Sequence, residues 1–145
     1  MSRLTLAAIA AKMQDIDIAI LSTKSDGGEI ASRPMSNNAD VEYDGDSYYF
    51  TKEPTRLVSD IEREPKVSLS FSGKPGLLGG APHFFASVEG RAELIRDKAR
   101  FEEHWNPDVE VWFAEGVDTP GLVLVKVHAT RVKYWDGEDQ GELEL

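Results

Sequence analysis

The chain predicts a mainly β, α+β fold: a six-stranded antiparallel sheet curled into a small barrel, with short helices flanking it. Three observations carry that reading. Six segments have strand character, and most are joined by short turns bearing Gly, Asp or Pro rather than by long helical crossovers. Several alternate apolar and polar residues with period two, the mark of a sheet with one face buried. Finally, 145 residues make one domain, 1–145, able to bury roughly two-thirds of its unfolded surface without staples.

The elements follow in order. Residues 4–14 place Leu6, Ile9, Ala10 and Met13 at helical spacing, as on one face of an amphipathic helix. Over 15–23 the period drops to two, with Ile16, Ile18 and Ile20 on one face. Asp26-Gly27-Gly28 supplies the positive φ of a hairpin turn, so the chain returns antiparallel from Ile30 to about Val41. Asp44-Gly45-Asp46 turns into an aromatic strand over 47–51. Pro54 and Thr55 open a short helix through Arg63, with Thr55 as N-cap and Pro65 beyond its end. Lys66–Ser72 alternates Val67, Leu69 and Phe71 against serines, a half-buried strand. Residues 73–82 form a Gly/Pro-rich loop, read as a mobile flap, before a strand from His83 to about Ile95. A helix over 96–105 stops before Asn106-Pro107, and 116–121 is a turn. The last strand spans 122–135. Its apolar phase slips between Ala129 and Val132, which predicts a bulge or an exchange of buried face.

Composition excludes several functions. Hydrophobic residues at 41% and charged residues at 29% describe a soluble globular chain. Its apolar runs are too short to cross a bilayer, and the first residues lack the basic-then-apolar layout of a signal peptide. A cytoplasmic protein with no membrane partner is expected. Sixteen Lys+Arg against 26 Asp+Glu leave −10, which repels phosphate backbones, so no nucleic-acid partner is expected either. With no cysteine there is neither disulfide nor thiolate chemistry. His83, His104 and His128 are too far apart in sequence for a metal motif, so no metal site is expected. Gly76-Leu77-Leu78-Gly79-Gly80 leads into a strand and lacks the Lys-Ser/Thr of a phosphate loop.

One constellation stands out. Arg33 follows Ser32 near a strand end, Tyr49-Phe50-Thr51 closes the next strand, and Thr55-Arg56 begins a helix. Taken singly, these are a solvated arginine, core aromatics and an N-cap. Together they gather two guanidinium groups, a hydroxyl and free helix N-terminal amides at neighbouring strand ends. That set suits a phosphomonoester.

From Met13 to Trp135 the chain resembles the pyridoxamine-phosphate-oxidase-like, split-barrel flavin-binding superfamily, and within it the general stress proteins. The matching segments are Ser32-Arg33-Pro34-Met35, Tyr49-Phe50-Thr51, Pro65-Lys66-Val67-Ser68-Leu69-Ser70-Phe71, Val88-Glu89-Gly90-Arg91-Ala92-Glu93, Trp105-Asn106-Pro107, Trp112-Phe113-Ala114-Glu115-Gly116 and Tyr134-Trp135. The resemblance implies an FMN-binding split barrel and a homodimer with flavin mononucleotide (FMN) at the subunit interface. Arg33 would then hold phosphate or ribityl, with Pro34 and Met35 presenting backbone to the ring. Phe50 and Thr51 would lie along the ring and ribityl chain. Thr55 and Arg56 would bind phosphate, and Trp135 would border the partner's site. FAD is open as an alternative flavin.

Departures from that pattern narrow the function. Family members usually carry a lysine just after the position of Arg56, where this chain has Leu57. The true oxidases end in an arginine- and histidine-containing segment, whereas this chain ends in an acidic tail from Asp136. Oxidation of pyridoxamine phosphate is therefore not expected. A flavoprotein of redox function is the leading reading, with FMN carrying the electrons and no side chain assigned as an acid–base catalyst. The alternatives are flavin sequestration without turnover, or haem on a related barrel with His83 or His128 as ligand. Trp105 and Trp112 are read as packing residues. A barrel this small has little interior for a ligand, which sends the ring to its outer surface and favours a dimer.

Overall fold

A computed structural model describes residues 4–37, 43–73 and 83–145, whose strands form one antiparallel sheet of seven. Thr5 accepts the Ala8 amide proton at 3.1 Å and starts helix α1, Leu6–Met13, which buries Ile9, Ala10 and Met13. Strands β1 (Ile18–Lys24) and β2 (Ile30–Ser36) make a hairpin through Gly27 and Gly28, both at positive φ. After β3 (Asp46–Lys52), Thr55 caps helix α2 (Arg56–Arg63) by accepting from the Val58 amide. There follow β4 (Lys66–Ser72), β5 (Phe84–Ile95), α3 (Lys98–His104), α4 (Pro107–Glu110), a 3-10 turn at Gly116–Asp118, β6 (Leu122–Asp136) and β7 (Asp139–Glu144).

The ladder runs β2-β1-β4-β5-β6-β3, with β7 also on β6. β3 takes the first half of β6 and β7 the second. β2 and β3 therefore stand at the two free edges, and no ladder joins them among the described residues. The sheet is thus split between β2 and β3, in keeping with the split barrel that the resemblance implies. Across the split, Tyr49 Oη donates to Asn37 Oδ1 at 3.2 Å, so the edges face each other without pairing. Pro34 fits an edge strand because it has no N–H to offer a ladder.

The main core lies on the concave face, where α1 and α2 meet Leu21, Leu69, Phe71 and Tyr134. A second cluster forms where Phe101 of α3 packs with Ile95, Leu122 and Leu124 of β5 and β6. The phase of β1 differs from the sequence reading. Ala19, Leu21 and Thr23 are buried, while Ile18 is 50% exposed and Ile20 38%. Register explains the inversion, since Ala19 and Leu21 face Phe71 and Leu69 on β4 and cross-strand partners share a face. The slip in β6 is a bulge at Thr130, because Gly90 pairs with Ala129 and Glu89 with Arg131. A Cβ on Gly90 would come within 2.6 Å of the His128 carbonyl oxygen, so the crossing requires glycine.

The seventh strand and the fourth helix were outside the sequence reading. β7 turns back at Gly137, φ +63°, with Asp136 opposite Asp139. Its Asp-Gly turn signal is legible in the sequence. Its strand pattern is not, because β7 has no fully buried residue. The expected flap over 73–82 lies, except for Gly73, outside the described residues, as does the expected continuation of β2 from Asn38 to Val41.

Candidate functional site

The split opens into a cleft of about 1150 Å³. Ligand clefts typically span about 300–1,000 Å³, so a molecule of cofactor size fits. Arg33, Pro34 and Met35 of β2 form one wall, and the open edge of β3 forms the other. The N-terminus of α2 closes one end, and α3 and α4 roof the aromatic side.

The basic end is built around a buried carboxylate. Asp60 on α2 is only 2% exposed. Its Oδ1 accepts from Arg63 Nη2 at 2.8 Å, and its Oδ2 accepts from the Thr23 hydroxyl at 2.9 Å. Arg33 Nη1 donates in turn to Thr23 Oγ1 at 2.8 Å and more weakly to the Leu21 carbonyl at 3.4 Å, while Nη2 stands 3.7 Å from Asp60. Burial pulls the Arg33 pKa down, the Asp60 charge raises it again, and Arg56 lowers it further. The neighbouring Arg56 begins α2 and lines the same end. Helix polarity adds to these two cations, so an anion is favoured there. Thr55 lines the cleft too, but its hydroxyl already accepts the Val58 amide. Leu57, where the resemblance expects lysine, is 5% exposed and joins the core while lining the cleft floor.

The opposite side is aromatic. Phe50 meets Trp105 edge-on, with centroids 4.9 Å apart at 67°, and Trp105 continues to Phe113 at 6.1 Å. His104 stacks on Tyr48 at 3.8 Å and 18°. Burial lowers the His104 pKa, with Glu103 opposing and Arg100 and Lys126 adding to the fall. Towards α1, the Tyr43 hydroxyl is buried and has no hydrogen-bond partner among the described residues. Burial raises its pKa, so it keeps its proton and is available as a donor.

The structure thus brings Arg33, Pro34, Met35, Phe50, Thr51, Thr55 and Arg56 to one cleft. Trp135 is not among its lining residues. It stands on the convex face opposite Phe85, with the Lys133 ammonium 5.3 Å from its ring centroid. Trp105 and Trp112, read from sequence as packing residues, both line the cleft, and Trp112 is 68% exposed. His128 lies outside the cleft and pairs with Asp46, its Nδ1 at 2.7 Å. Among the described residues no group of His, Asp or Glu could hold a metal. Sequence reasoning passed over Tyr43, Thr23 and Asp60, and weighed His104 only as a metal ligand and set it aside. The Tyr48–His104 stack spans 56 positions of sequence and left no local signal.

Comparison with known proteins bears on both fold and family. The profile of the pyridoxamine 5'-phosphate oxidase like family matches residues 5–144. Protein bli-3 of Neurospora crassa is 27% identical over 109 residues, covering 73% of this chain and 49% of that protein, so the chain spans about half the length of this curated relative. A Clostridium acetobutylicum protein related to general stress protein 26 of B. subtilis, of the pyridoxinephosphate oxidase family, superposes with a TM-score of 0.78. It is 18% identical, over 97% of this chain and 94% of that one. A heme binding protein from Mycobacterium smegmatis gives a TM-score of 0.77 at 13% identity, over 99% of this chain and 60% of that one. No helix among the described residues is long and apolar enough to cross a membrane. With its mainly β split sheet and a family match along nearly its whole length, the chain belongs to the pyridoxamine 5'-phosphate oxidase like family.

Proposed function

We propose that the cleft binds flavin mononucleotide and that the protein is a cytoplasmic homodimeric flavoprotein with a redox role. The observation that carries this reading is the polarity of the cleft: an arginine-lined helix N-terminus at one end and an aromatic wall beside it. The donor set fits the group. Arg33, Arg56 and the first amides of α2 would take the phosphate, while Phe50 and Trp105 would border the ring. The free edges of β2 and β3 leave backbone groups unpaired for the ring's polar rim. When bound, the flavin supplies the electron transfer, and the protein contributes position, apolar walls and charge.

The dimer reading rests on the convex face. There Ile18 and Ile20 of β1 share a surface with Pro34, Ser36 and Ser70, free of charge in a chain of net −10. Phe85 and Trp135 continue it as far as Lys133, whose ammonium stands 5.3 Å from the Trp135 ring. Pro34, Ser36 and Ile18 also line the cleft mouth, so a second copy on this face would cover the site and bring its own Trp135 towards it. β7 itself carries no cation, and Arg131 opposite it is already paired with Glu144 at 3.0 Å, which disfavours pyridoxamine phosphate as substrate.

Haem is the second reading, supported by the mycobacterial neighbour and by His104 in the cleft. It asks His104 to leave its stack on Tyr48. Absorption and mass spectra of the chromophore released from protein purified without added cofactor decide the matter. FMN supports the proposal and FAD changes the nucleotide. A Soret band replaces the flavin reading with haem, and a colourless protein that fails to bind added FMN rejects both.

A further inference from the structure

The network beneath Arg33 contains two groups that the cleft itself does not expose. Thr23 is 1% exposed and Asp60 2%, and neither lines the cleft, although Arg33 does. The Thr23 hydroxyl has one arrangement open to it. A guanidinium can only donate and a carboxylate can only accept, so the hydroxyl must accept from Arg33 and donate to Asp60. Both Nη1 hydrogens of Arg33 are thereby used inside the barrel, on Thr23 and the Leu21 carbonyl. Its Nε and Nη2 hydrogens make no hydrogen bond to the described residues, and Nη2 sits 3.7 Å from Asp60 in an ion pair only. Arg63 fixes the carboxylate from the other side at 2.8 Å. Three elements, β1, β2 and α2, are pinned through one hydroxyl.

We infer that Thr23 and Asp60 are positioning residues, which hold Arg33 so that its uncommitted hydrogens face the anionic end of the ligand and set the preference for a phosphorylated flavin over an unphosphorylated one. The inference rests on the flavin reading and goes beyond it, to residues that touch no ligand. Without the hydroxyl, Arg33 keeps its charge but loses its aim. A forked contact then becomes a loose one, because the strength of guanidinium–phosphate pairing lies in its geometry. The substitution that isolates this is Thr23→Val, which keeps shape and net charge while removing the relay.

The experiment titrates FMN and riboflavin separately into the unmodified chain, Thr23→Val and Thr23→Ser, following quenching of flavin fluorescence. The expected result is a fall of about tenfold in the FMN-to-riboflavin affinity ratio for Thr23→Val, the weight of one hydrogen bond, with riboflavin affinity unchanged. Thr23→Ser, which retains the hydroxyl, restores the ratio. If the buried valine prevents folding, Thr23→Ala leaves room for a water on Asp60 and is read in the same way. Equal losses for both ligands indicate a merely structural role and overturn the inference, as does an unchanged ratio. Failure of the unmodified chain to bind either flavin overturns the flavin reading itself and this inference with it.

Discussion

Replacing Ile20 with aspartate tests whether the convex face of β1 is where two subunits meet. Ile20 points away from the core, opposite Pro34 and Ser70, and 38% of it is exposed. In a lone chain the substitution costs about 2–3 kcal/mol, from lost strand preference and the covered part of the side chain, which leaves the core on the other face intact. In a twofold dimer the same change occurs on both subunits. The apolar burial lost from the two partly exposed side chains amounts to about 1–2 kcal/mol. Desolvating two carboxylates adds several kcal/mol more. A total above about 3 kcal/mol raises the dissociation constant at least a hundredfold, at about 1.4 kcal/mol per factor of ten. Sedimentation velocity of the flavin-loaded protein, read at the flavin band and at 280 nm as a concentration series, measures both assembly and retention. The expected outcome is a folded monomer that has shed its flavin. A variant that stays dimeric removes this face from the interface, and a monomer that keeps one flavin per chain refutes the shared site.

Three further outcomes follow from the cleft. Arg33→Ala weakens FMN binding by about 1.5–3 kcal/mol, the worth of a charged hydrogen bond, as read by fluorescence titration. Thermal melting moves less, because Asp60 keeps Arg63 at 2.8 Å and Thr23 at 2.9 Å; equal losses of binding and stability count against Arg33 as a ligand-binding group. Leu57→Lys lowers stability by roughly 2–3 kcal/mol, since it replaces a core residue, yet tightens FMN by reaching into the cleft from its floor. That gain fades as salt shortens the screening length below about 8–10 Å, and a salt-independent affinity would show that the phosphate lies elsewhere. Burial lowers the His104 pKa below its ordinary 6.5, so on acidification the unfolded chain takes up this proton first. Stability therefore declines as pH falls from about 6.5 through the folded-state pKa of His104. His104→Gln removes that part of the slope, and melting curves between pH 5 and 7.5 that match the parent's assign the slope to other groups.

Local chemistry made much of this molecule legible. Gly27-Gly28 marks the first hairpin, Thr55 the start of α2, and the lost phase near Thr130 the bulge, because each depends on residues close in sequence. Arg33, Phe50 and Thr55 were also singled out by their residue types, and they line one cleft, although Arg33 and Phe50 stand on opposite edges of the sheet and meet only across the split. Other features depend on partners far along the chain. Ile18 and Ile20 alternate as a core face should, yet face outward because β1 is aligned with Leu69 and Phe71 of β4. Alternation fixes a strand's two faces; only register against a neighbour decides which one is buried. β7 escaped because a strand with no fully buried residue carries little hydrophobic pattern. Asp60 looked like an ordinary exposed acid on a helix, and became a buried anchor only when α2 packed against β1 and met the Thr23 hydroxyl. Read alone, the sequence settles the first six strands, the acidic charge and seven of the residues that line the cleft, from Arg33 to Arg56. The tertiary structure decided the open split between β2 and β3, the outward turn of β1 and the constraint on Arg33, because register, edge closure and buried pairing are properties of strands and helices in contact.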